Sequence, residues 1–225
     1  WLHLPGSPAA RRPVMPDQNA APARLAYAGV VLAAGEARRM GGRPKSLIER
    51  DGVPLVRRVA QALLDAGATD VVVVLGHRAE DVAWAVHDLP VLTVVNESYA
   101  AGHGTSLRKG LATLPDTDGP TIVALADQPL LDAADVSALL EAWQRRGTAR
   151  AVVPRIHGQR GHPVLLDVSV GREILRGDAT YGAREWLDEH PDEIAWFDSD
   201  NPHYVVDVDF PEDLERIAQR FGCAM

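Results

Sequence analysis

Short runs rich in β-branched residues alternate along this chain with stretches of helical periodicity, and this alternation limits the fold more than any other feature. Four runs are typical of buried strands: residues 27–34, 70–75, 91–95 and 121–126. Four other stretches have an apolar face of helical spacing: residues 55–64, 79–89, 105–114 and 132–145. Because parallel neighbours need a crossover connection, the pattern predicts right-handed βαβ units in a doubly wound, mostly parallel α/β sheet.

The last third of the chain is less uniform. Further strands are expected at residues 151–154, 163–166, 194–197 and 204–208, with helices between them, so this part of the sheet is expected to be mixed. A terminal helix is predicted to begin at Pro211, a favoured first helical position. It would bury four apolar side chains, Leu214, Ile217, Ala218 and Phe221. The length of 225 residues suits one large domain, which we expect to span residues 25–225.

Composition narrows the possible partners. The formal net charge of -8 opposes binding to nucleic acid or to an anionic membrane surface, and no apolar run approaches the roughly 18 residues of a membrane span. The single cysteine, Cys223, leaves no internal disulfide or cysteine zinc site and fits a reducing cytoplasm. Residues 1–24 are rich in Ala, Pro and Arg without periodicity, and we expect a disordered extension or an upstream remnant there.

The most informative segment follows directly after the first strand, and it covers residues 32–45. Its small residues let the backbone approach a phosphate chain, and its cations would neutralise the charge of a triphosphate and of the departing pyrophosphate. The glycines alone would favour an ordinary solvent-exposed turn. The full spacing instead predicts a nucleotide-binding loop, with Arg39 and Lys45 also catalytic. Its predicted binding residues are Leu32, Ala33, Ala34, Gly35, Arg39, Gly41 and Lys45.

This loop resembles the LAAGxSxRMGxxK motif of the molybdenum cofactor nucleotidyltransferases, in particular of their cytidylyltransferase branch. Later segments resemble motifs of the same family in the same order: residues 96–107, 125–129, 158–163, 175–178 with 182–184, and 207–214. Six ordered motifs are far more specific than one. The sequence departs from the family at Ala37, Tyr99, His103 and Phe210, where Ser, Trp, Met and Thr are usual. None of these departures removes a charged catalytic group.

Asp127 is the first candidate metal ligand and a candidate catalytic residue. It follows an apolar strand, and ligands of open α/β sheets bind at the carboxyl ends of strands. A Mg²⁺ ion prefers one or two carboxylates together with phosphate oxygens and water. Asp209 is the favoured second ligand, with Asp207 as a rival, because the two share one alternation face and sequence does not decide between them. The structural alternatives are capping of a turn by Asp127 and, for Asp209, a favourable interaction with the N-terminus of the following helix. Glu212 and Asp213 suit the first turn of that terminal helix.

Two further segments complete the predicted site. Ser106 or Thr105 would cap a helix by default, and the resemblance implies that Gly102 and Ser106 also contact the nucleotide. The resemblance places Arg160 and His162 on the acceptor side of the cleft, although a merely solvated loop explains these two residues about as well. The eight histidines show no convincing metal-ligand pattern.

The resemblance implies a Rossmann-like, magnesium-dependent nucleotidyltransferase that moves CMP from CTP to the phosphorylated pterin of the molybdenum cofactor. Ala34 stands where guanine-using relatives tend to have glycine, which favours CTP. The nearest alternatives are GMP transfer from GTP, or transfer to phospholactate, an isoprenoid precursor or a sugar phosphate. A protein of another class would bind the cofactor without catalysis and deliver it to a molybdenum enzyme or its chaperone. The retention of Arg39, Lys45 and Asp127 argues against such a delivery protein.

Overall fold

The structure, a computed structural model, describes residues 25–36, 42, 44–116 and 118–225. The predicted N-terminal extension and two predicted loop residues, Arg39 and Gly41, lie outside these described residues. In chain order the strands are β1 (Ala28–Leu32), β2 (Glu49–Arg50), β3 (Val53–Pro54), β4 (Asp70–Leu75), β5 (Leu92–Val95), β6 (Thr121–Leu125), β7 (Ala151–Ile156), β8 (Gln159–Arg160), β9 (Val164–Leu166) and β10 (Ile194–Asp198). The α-helices are α1 (Leu55–Asp65), α2 (Ala79–Ala85), α3 (His103–Thr113), α4 (Ala133–Gln144), α5 (Val168–Arg176), α6 (Ala183–Glu189) and α7 (Pro211–Phe221).

Within the described residues, eight strands form one sheet, in which β10, β7, β9, β6, β1, β4 and β5 are neighbours in that order and β8 pairs with β7. The pairs β1–β4, β1–β6, β4–β5 and β7–β10 are parallel. Strand β9 is antiparallel to both β6 and β7. The predicted α/β fold, with a mostly parallel sheet and a mixed C-terminal part, is therefore confirmed.

Helices cover both faces of this sheet. In β4 the four consecutive valines are all buried, because Val71 and Val73 face one layer of helices while Val72 and Val74 face the other. The first layer contains α1, α2 and α4, and the second contains α3, α5 and α6. No helix in the described part of the chain is long and apolar enough to cross a membrane.

The direction of winding reverses at β1. The chain moves from β1 to its neighbour β4 and on to β5, and then returns through α3 to β6 on the other side of β1. Crossover loops diverge at such a reversal and leave a crevice at the carboxyl ends of the two central strands. The fold therefore provides a ligand site between the ends of β1 and β6.

The prediction of a strand at residues 204–208 is wrong, because the structure forms no strand there. A short 3-10 turn covers Pro202–Tyr204, and an irregular segment follows it. The backbone of this segment is bonded to loops instead of to a strand: Val208 N donates to Asp127 O at 3.2 Å, and Tyr204 O accepts from His162 N at 2.8 Å. The alternating valines and aspartates imitate a strand because Val208 is buried under α7 while Asp207 is exposed.

The packing of α3 on the sheet generates a stability prediction. A Cβ atom at Gly110 would lie 2.5 Å from Val30 Cγ1 and 2.9 Å from Val74 Cγ2, and both valines are fully buried. We expect Gly110→Ala to lower the free energy of unfolding by about 1–3 kcal/mol. Gly171, in α5, is the matched control, since its nearest neighbour would lie at 3.6 Å. Gly171→Ala should raise stability by about 0.5–1 kcal/mol through helix propensity. Chemical denaturation measures both, and equal effects of the two variants would contradict the packing argument.

Candidate active site

A cleft of about 450 Å³ opens at the carboxyl ends of β1 and β6. It brings together predicted residues that are distant in sequence: Leu32, Ala33, Ala34, Gly35, Lys45, Gly102, Ser106 and Asp127. The other lining residues were not singled out as ligand contacts from the sequence: Glu36, Ser46, Tyr99, Ala100, His103, Leu125 and Ala126. Arg39 and Gly41 belong to the same loop but lie outside the described residues. The predicted nucleotide-binding segments thus share one concave surface.

One wall of the cleft is packed too tightly to widen easily. A Cβ atom at Gly76 would lie 2.6 Å from the carbonyl oxygen of Ala34 and 2.8 Å from both Ala34 Cβ and Tyr99 Cγ. The backbone is bonded in the same place, because His77 N donates to Ala34 O at 3.2 Å and Ala33 N donates to Val74 O at 2.9 Å. Tyr99 could have indicated this wall from the sequence, since it keeps an aromatic side chain where the family usually has Trp.

The first turn of α3 also lines the cleft, through His103 and Ser106. Gly102 precedes the helix with a φ of 129°, a conformation that favours glycine, and no side chain caps the helix. The default prediction that Ser106 or Thr105 caps this helix is therefore wrong, because both residues already lie inside it. Ser106 is buried, and Asn96 Nδ2 donates to its hydroxyl at 3.0 Å and to the Thr105 hydroxyl at 2.9 Å. Helix N-termini attract anions, so this part of the cleft suits a phosphate.

Lys45 joins two carboxylates at the mouth of the cleft. Its ammonium group donates a hydrogen bond to Asp209 Oδ1 and lies 3.5 Å from Asp127 Oδ2. Asp209, and not Asp207, shares Lys45 with Asp127, although Asp207 is close enough to feel all three charges. The structure thus distinguishes two aspartates that their common alternation face left equivalent.

The surroundings of these groups shift their acidity. Burial raises the pKa of Asp127, and the positive charge of Lys45 opposes this only in part. Desolvation and the negative charges of Asp127 and Asp209 raise the pKa of Asp207. Burial would lower the pKa of Lys45, but the hydrogen bond to Asp209 and the charge of Asp127 hold it above its ordinary value. The cluster therefore carries more negative charge than one ammonium group neutralises.

This donor set fits a divalent cation of the magnesium type. Such an ion prefers carboxylate oxygens, and here Asp127 and Asp209 converge on one point with Asp207 nearby. Desolvation and then repulsion by Asp127 and Asp209 raise the pKa of Asp207, and a bound cation would relieve the repulsion. Asp127 and Asp209 are the residues that could hold the ion.

The position of Asp209 depends on the start of α7. Asp213 is buried, and its Oδ2 accepts hydrogen bonds from the backbone nitrogens of Asp209 and Phe210, each at 2.8 Å. Val208 N donates to Asp127 O at 3.2 Å, which links the same segment to the end of β6. Asp213 thus has the structural role expected of it, and it also fixes the backbone that carries Asp209.

A second group of possible metal ligands lies elsewhere: Asp132, Asp135 and His203 have ligand atoms within 4.8 Å of one another. This proximity was not expected from the spacing of the histidines. Asp132 and Asp135 form a capping box at the start of α4, and Asp135 Oδ2 also lies 2.8 Å from His203 Nδ1. These atoms already pair with one another, so the group serves to anchor the Pro202–Tyr204 turn to α4.

The two predicted acceptor residues do not line the cleft. Arg160 pairs with Asp188, and its guanidinium carbon lies 5.6 Å from the centre of the Trp196 ring. In the described part of the chain, His162 Nδ1 is buried without a hydrogen-bond partner. Burial and the neighbouring His103 lower the pKa of His162 to about 4, so this side chain is neutral at pH 7. The neighbouring His103 lines the cleft, whereas Arg160 and His162 do not. The acceptor-binding roles of Arg160 and His162 stay predictions.

A doubly wound sheet with a glycine-containing loop, a lysine and paired aspartates at its point of reversal defines the class of nucleotidyltransferases. Residues 29–194 match the sequence model of the MobA-like NTP transferase domain. The chain belongs to this family, so a nucleotidyltransferase of MobA-like kind is confirmed.

Relatives extend the comparison over most of the chain. Nicotine blue oxidoreductase from Paenarthrobacter nicotinovorans is 34% identical over 197 residues, which cover 84% of this chain and 95% of that protein. Among solved structures, Rv0371c from Mycobacterium tuberculosis H37Rv has a TM-score of 0.72 at 25% identity, covering 87% of this chain and 99% of that one. A nucleotidyl transferase from Methanothermobacter thermautotroptrophicus has a TM-score of 0.70 at 24% identity, covering 87% and 97%, and it shows the fold alone. The chain spans about a third of the bifunctional GlmU proteins that it also matches.

The contacts of Asp213 predict that its substitution has larger effects on stability and turnover than substitution of its neighbour Glu212. Asp213→Ala should lower the free energy of unfolding by about 0.5–2 kcal/mol, because it leaves the backbone nitrogens of Asp209 and Phe210, just before α7, unpaired. Turnover should also fall by about tenfold, since Asp209 loses its support. Glu212→Ala is the control, because Glu212 is exposed in the same helical turn. Thermal unfolding and initial rates measure the two effects, and similar behaviour of both variants would count against the positioning role.

Proposed function

We propose that this protein transfers CMP from CTP to the phosphorylated pterin of the molybdenum cofactor and releases pyrophosphate. The observation that carries the proposal is that the loop after β1, Lys45 and Asp127 line one cleft, while Asp209 pairs with Lys45. Motifs that resemble the cytidylyltransferase branch supply the identities of the nucleotide and of the acceptor.

Each group has a role that its chemistry suits. Backbone nitrogens of residues 34–35 and of the first turn of α3 would hold the phosphates, and Lys45 and Arg39 would neutralise their charge. An oxygen of the acceptor phosphate forms a bond to the α-phosphorus of CTP, and the bond to the β-phosphate oxygen breaks so that pyrophosphate leaves. Asp127 and Asp209 would hold a magnesium ion, which supplies charge stabilisation to the phosphates when bound.

The tight wall of the cleft supports a pyrimidine base. Ala34 and the Tyr99 ring both lie close to Gly76, so the backbone on this side has little room to withdraw. A purine would need that room if its base lies against Ala34. The same packing explains why a glycine at position 34 would suit the larger guanine.

A second candidate function is an oxidoreductase activity. It is favoured by the 34% identity to nicotine blue oxidoreductase, which extends over 95% of that relative. A hydride-transfer enzyme has no evident use for two converging carboxylates and a lysine, and this cluster is the reason we prefer phosphate transfer.

The decisive experiment measures pyrophosphate release with Mg²⁺ and intact molybdenum cofactor, comparing CTP with GTP, ATP and UTP at equal concentration. We expect release with CTP, and Asp127→Asn should lower it by about 100-fold or more because a charged ligand is lost. Asp118→Asn is the control, since this aspartate lies outside the cleft. Release with GTP, or with phospholactate, an isoprenoid precursor or a sugar phosphate as acceptor, would redefine the substrates. No pyrophosphate release with any of these substrates, together with NAD(P)H consumption in the presence of a quinone-like dye, would favour the oxidoreductase activity.

The choice of base can be tested at one residue. Ala34→Gly should lower the preference for CTP over GTP, measured as the ratio of kcat/KM values, by about tenfold, because one methyl group in a pocket contributes a discrimination of this order. Ala33→Gly is the matched control, since it makes the same change one residue earlier in the loop. An unchanged ratio in Ala34→Gly would remove this residue from base selection.

A further inference from the structure

The ammonium group of Lys45 occupies the point on which Asp127 and Asp209 converge. It hydrogen bonds to Asp209 Oδ1 and lies 3.5 Å from Asp127 Oδ2. Both oxygens contact the same ammonium group, so a divalent cation that bridges the two carboxylates would compete with Lys45 for them. Lys45 therefore places a cation of the protein itself at the predicted metal position.

The backbone of Lys45 is anchored, and its long side chain carries the ammonium group from this fixed point to the two carboxylates. Lys45 opens the 3-10 turn Lys45–Leu47, in which Ile48 N donates to Lys45 O at 3.1 Å. Ser46 and Ile48 are buried, and Leu55 N donates to Ile48 O at 2.8 Å. A fixed base with a flexible four-carbon stem allows the ammonium group to change partners without movement of the fold.

We propose that Lys45 is an internal counterion that keeps the Asp127–Asp209 pair closed to a divalent cation until the phosphates of a nucleotide draw the ammonium group away. This inference rests on the proposed nucleotide site. It assigns to Lys45 a role in the order of binding, in addition to its contact with phosphate.

Charge and distance explain why the two cations exclude each other. A magnesium-type ion needs carboxylate oxygens at about 2.0–2.1 Å and repels a neighbouring ammonium group. A bound triphosphate offers Lys45 several negatively charged oxygens in place of the two carboxylates. Lys45 would then leave Asp127 and Asp209, and both carboxylates could bind the divalent cation. By linkage, nucleotide and metal should then strengthen each other's binding, whereas metal alone should bind weakly.

The test titrates the full chain with Mn²⁺ alone and measures free Mn²⁺ by electron paramagnetic resonance, without nucleotide and without turnover. Lys45→Met keeps the stem and removes the charge, and we expect it to bind Mn²⁺ about tenfold more tightly than the wild type, within the range usual for coupled sites. The chain contains two lysines, and exposed Lys109 in α3 provides the matched control Lys109→Met, which should leave the affinity unchanged.

Two further variants keep the result interpretable. Lys45→Gln should reproduce the gain with a polar side chain, and circular dichroism establishes that both variants are folded. Addition of Asp209→Asn to Lys45→Met should abolish the gained affinity, because one bridging ligand is lost. Equal Mn²⁺ affinity of the wild type and both Lys45 variants would overturn the inference.

Failure here differs from failure of the proposed function. Mn²⁺ affinities that follow the prediction, with no pyrophosphate release from any nucleotide, would leave the counterion role in place and reject the transfer. Unchanged affinities with normal pyrophosphate release would reject only the counterion role.

Discussion

The parallel pairing of β1 with β6 is the constraint on which the rest of the site depends. Leu32 is opposite Leu125 in this pair, and the pairing continues past the strands, where Ala126 N donates to Leu32 O at 3.1 Å. This register places the start of the loop after β1 beside Asp127. A slip by one residue would turn the Asp127 side chain to the other face of the sheet and separate it from Lys45.

The C-terminal segment completes what the central strands begin. Its irregular path from Tyr204 to Asp209 is bonded to the end of β6 and to the loop before β9, and α7 packs over Ile48 and Leu55 beside the Lys45 turn. Asp209 reaches Lys45 because α7 is docked on the segment that carries this lysine. The stability of α7 and the geometry of the Asp127–Asp209 pair therefore depend on the same contacts. Buried Asp213 provides one of them, since it belongs to α7 and accepts a hydrogen bond from the backbone of Asp209.

The parts of the structure that sequence could predict are those set by local chemistry. The valine run of β4 and the amphipathic face of α1 indicate their own burial, and the motif order predicts the loop residues and Asp127. The strand predicted at residues 204–208 was wrong because an alternating apolar and polar pattern reports which side chains are buried and not where the backbone hydrogen bonds go. The choice between Asp207 and Asp209 depends on how α7 docks, and the pairing of Arg160 with Asp188 joins β8 to α6. Such contacts between distant elements leave no local pattern.

The net charge of -8 limits how this site can hold a triphosphate. Among the described residues that line the cleft, Lys45 is the one lysine or arginine, while Glu36 and Asp127 are acidic. The net charge opposes a long-range attraction of polyanions, so affinity has to come from short-range groups: backbone nitrogens at the loop and at α3, and the cations brought to the phosphates. A nucleotide that carries its own divalent cation has less charge to bury and relieves the repulsion between the aspartates. The site thus suits the metal–nucleotide complex better than either component alone.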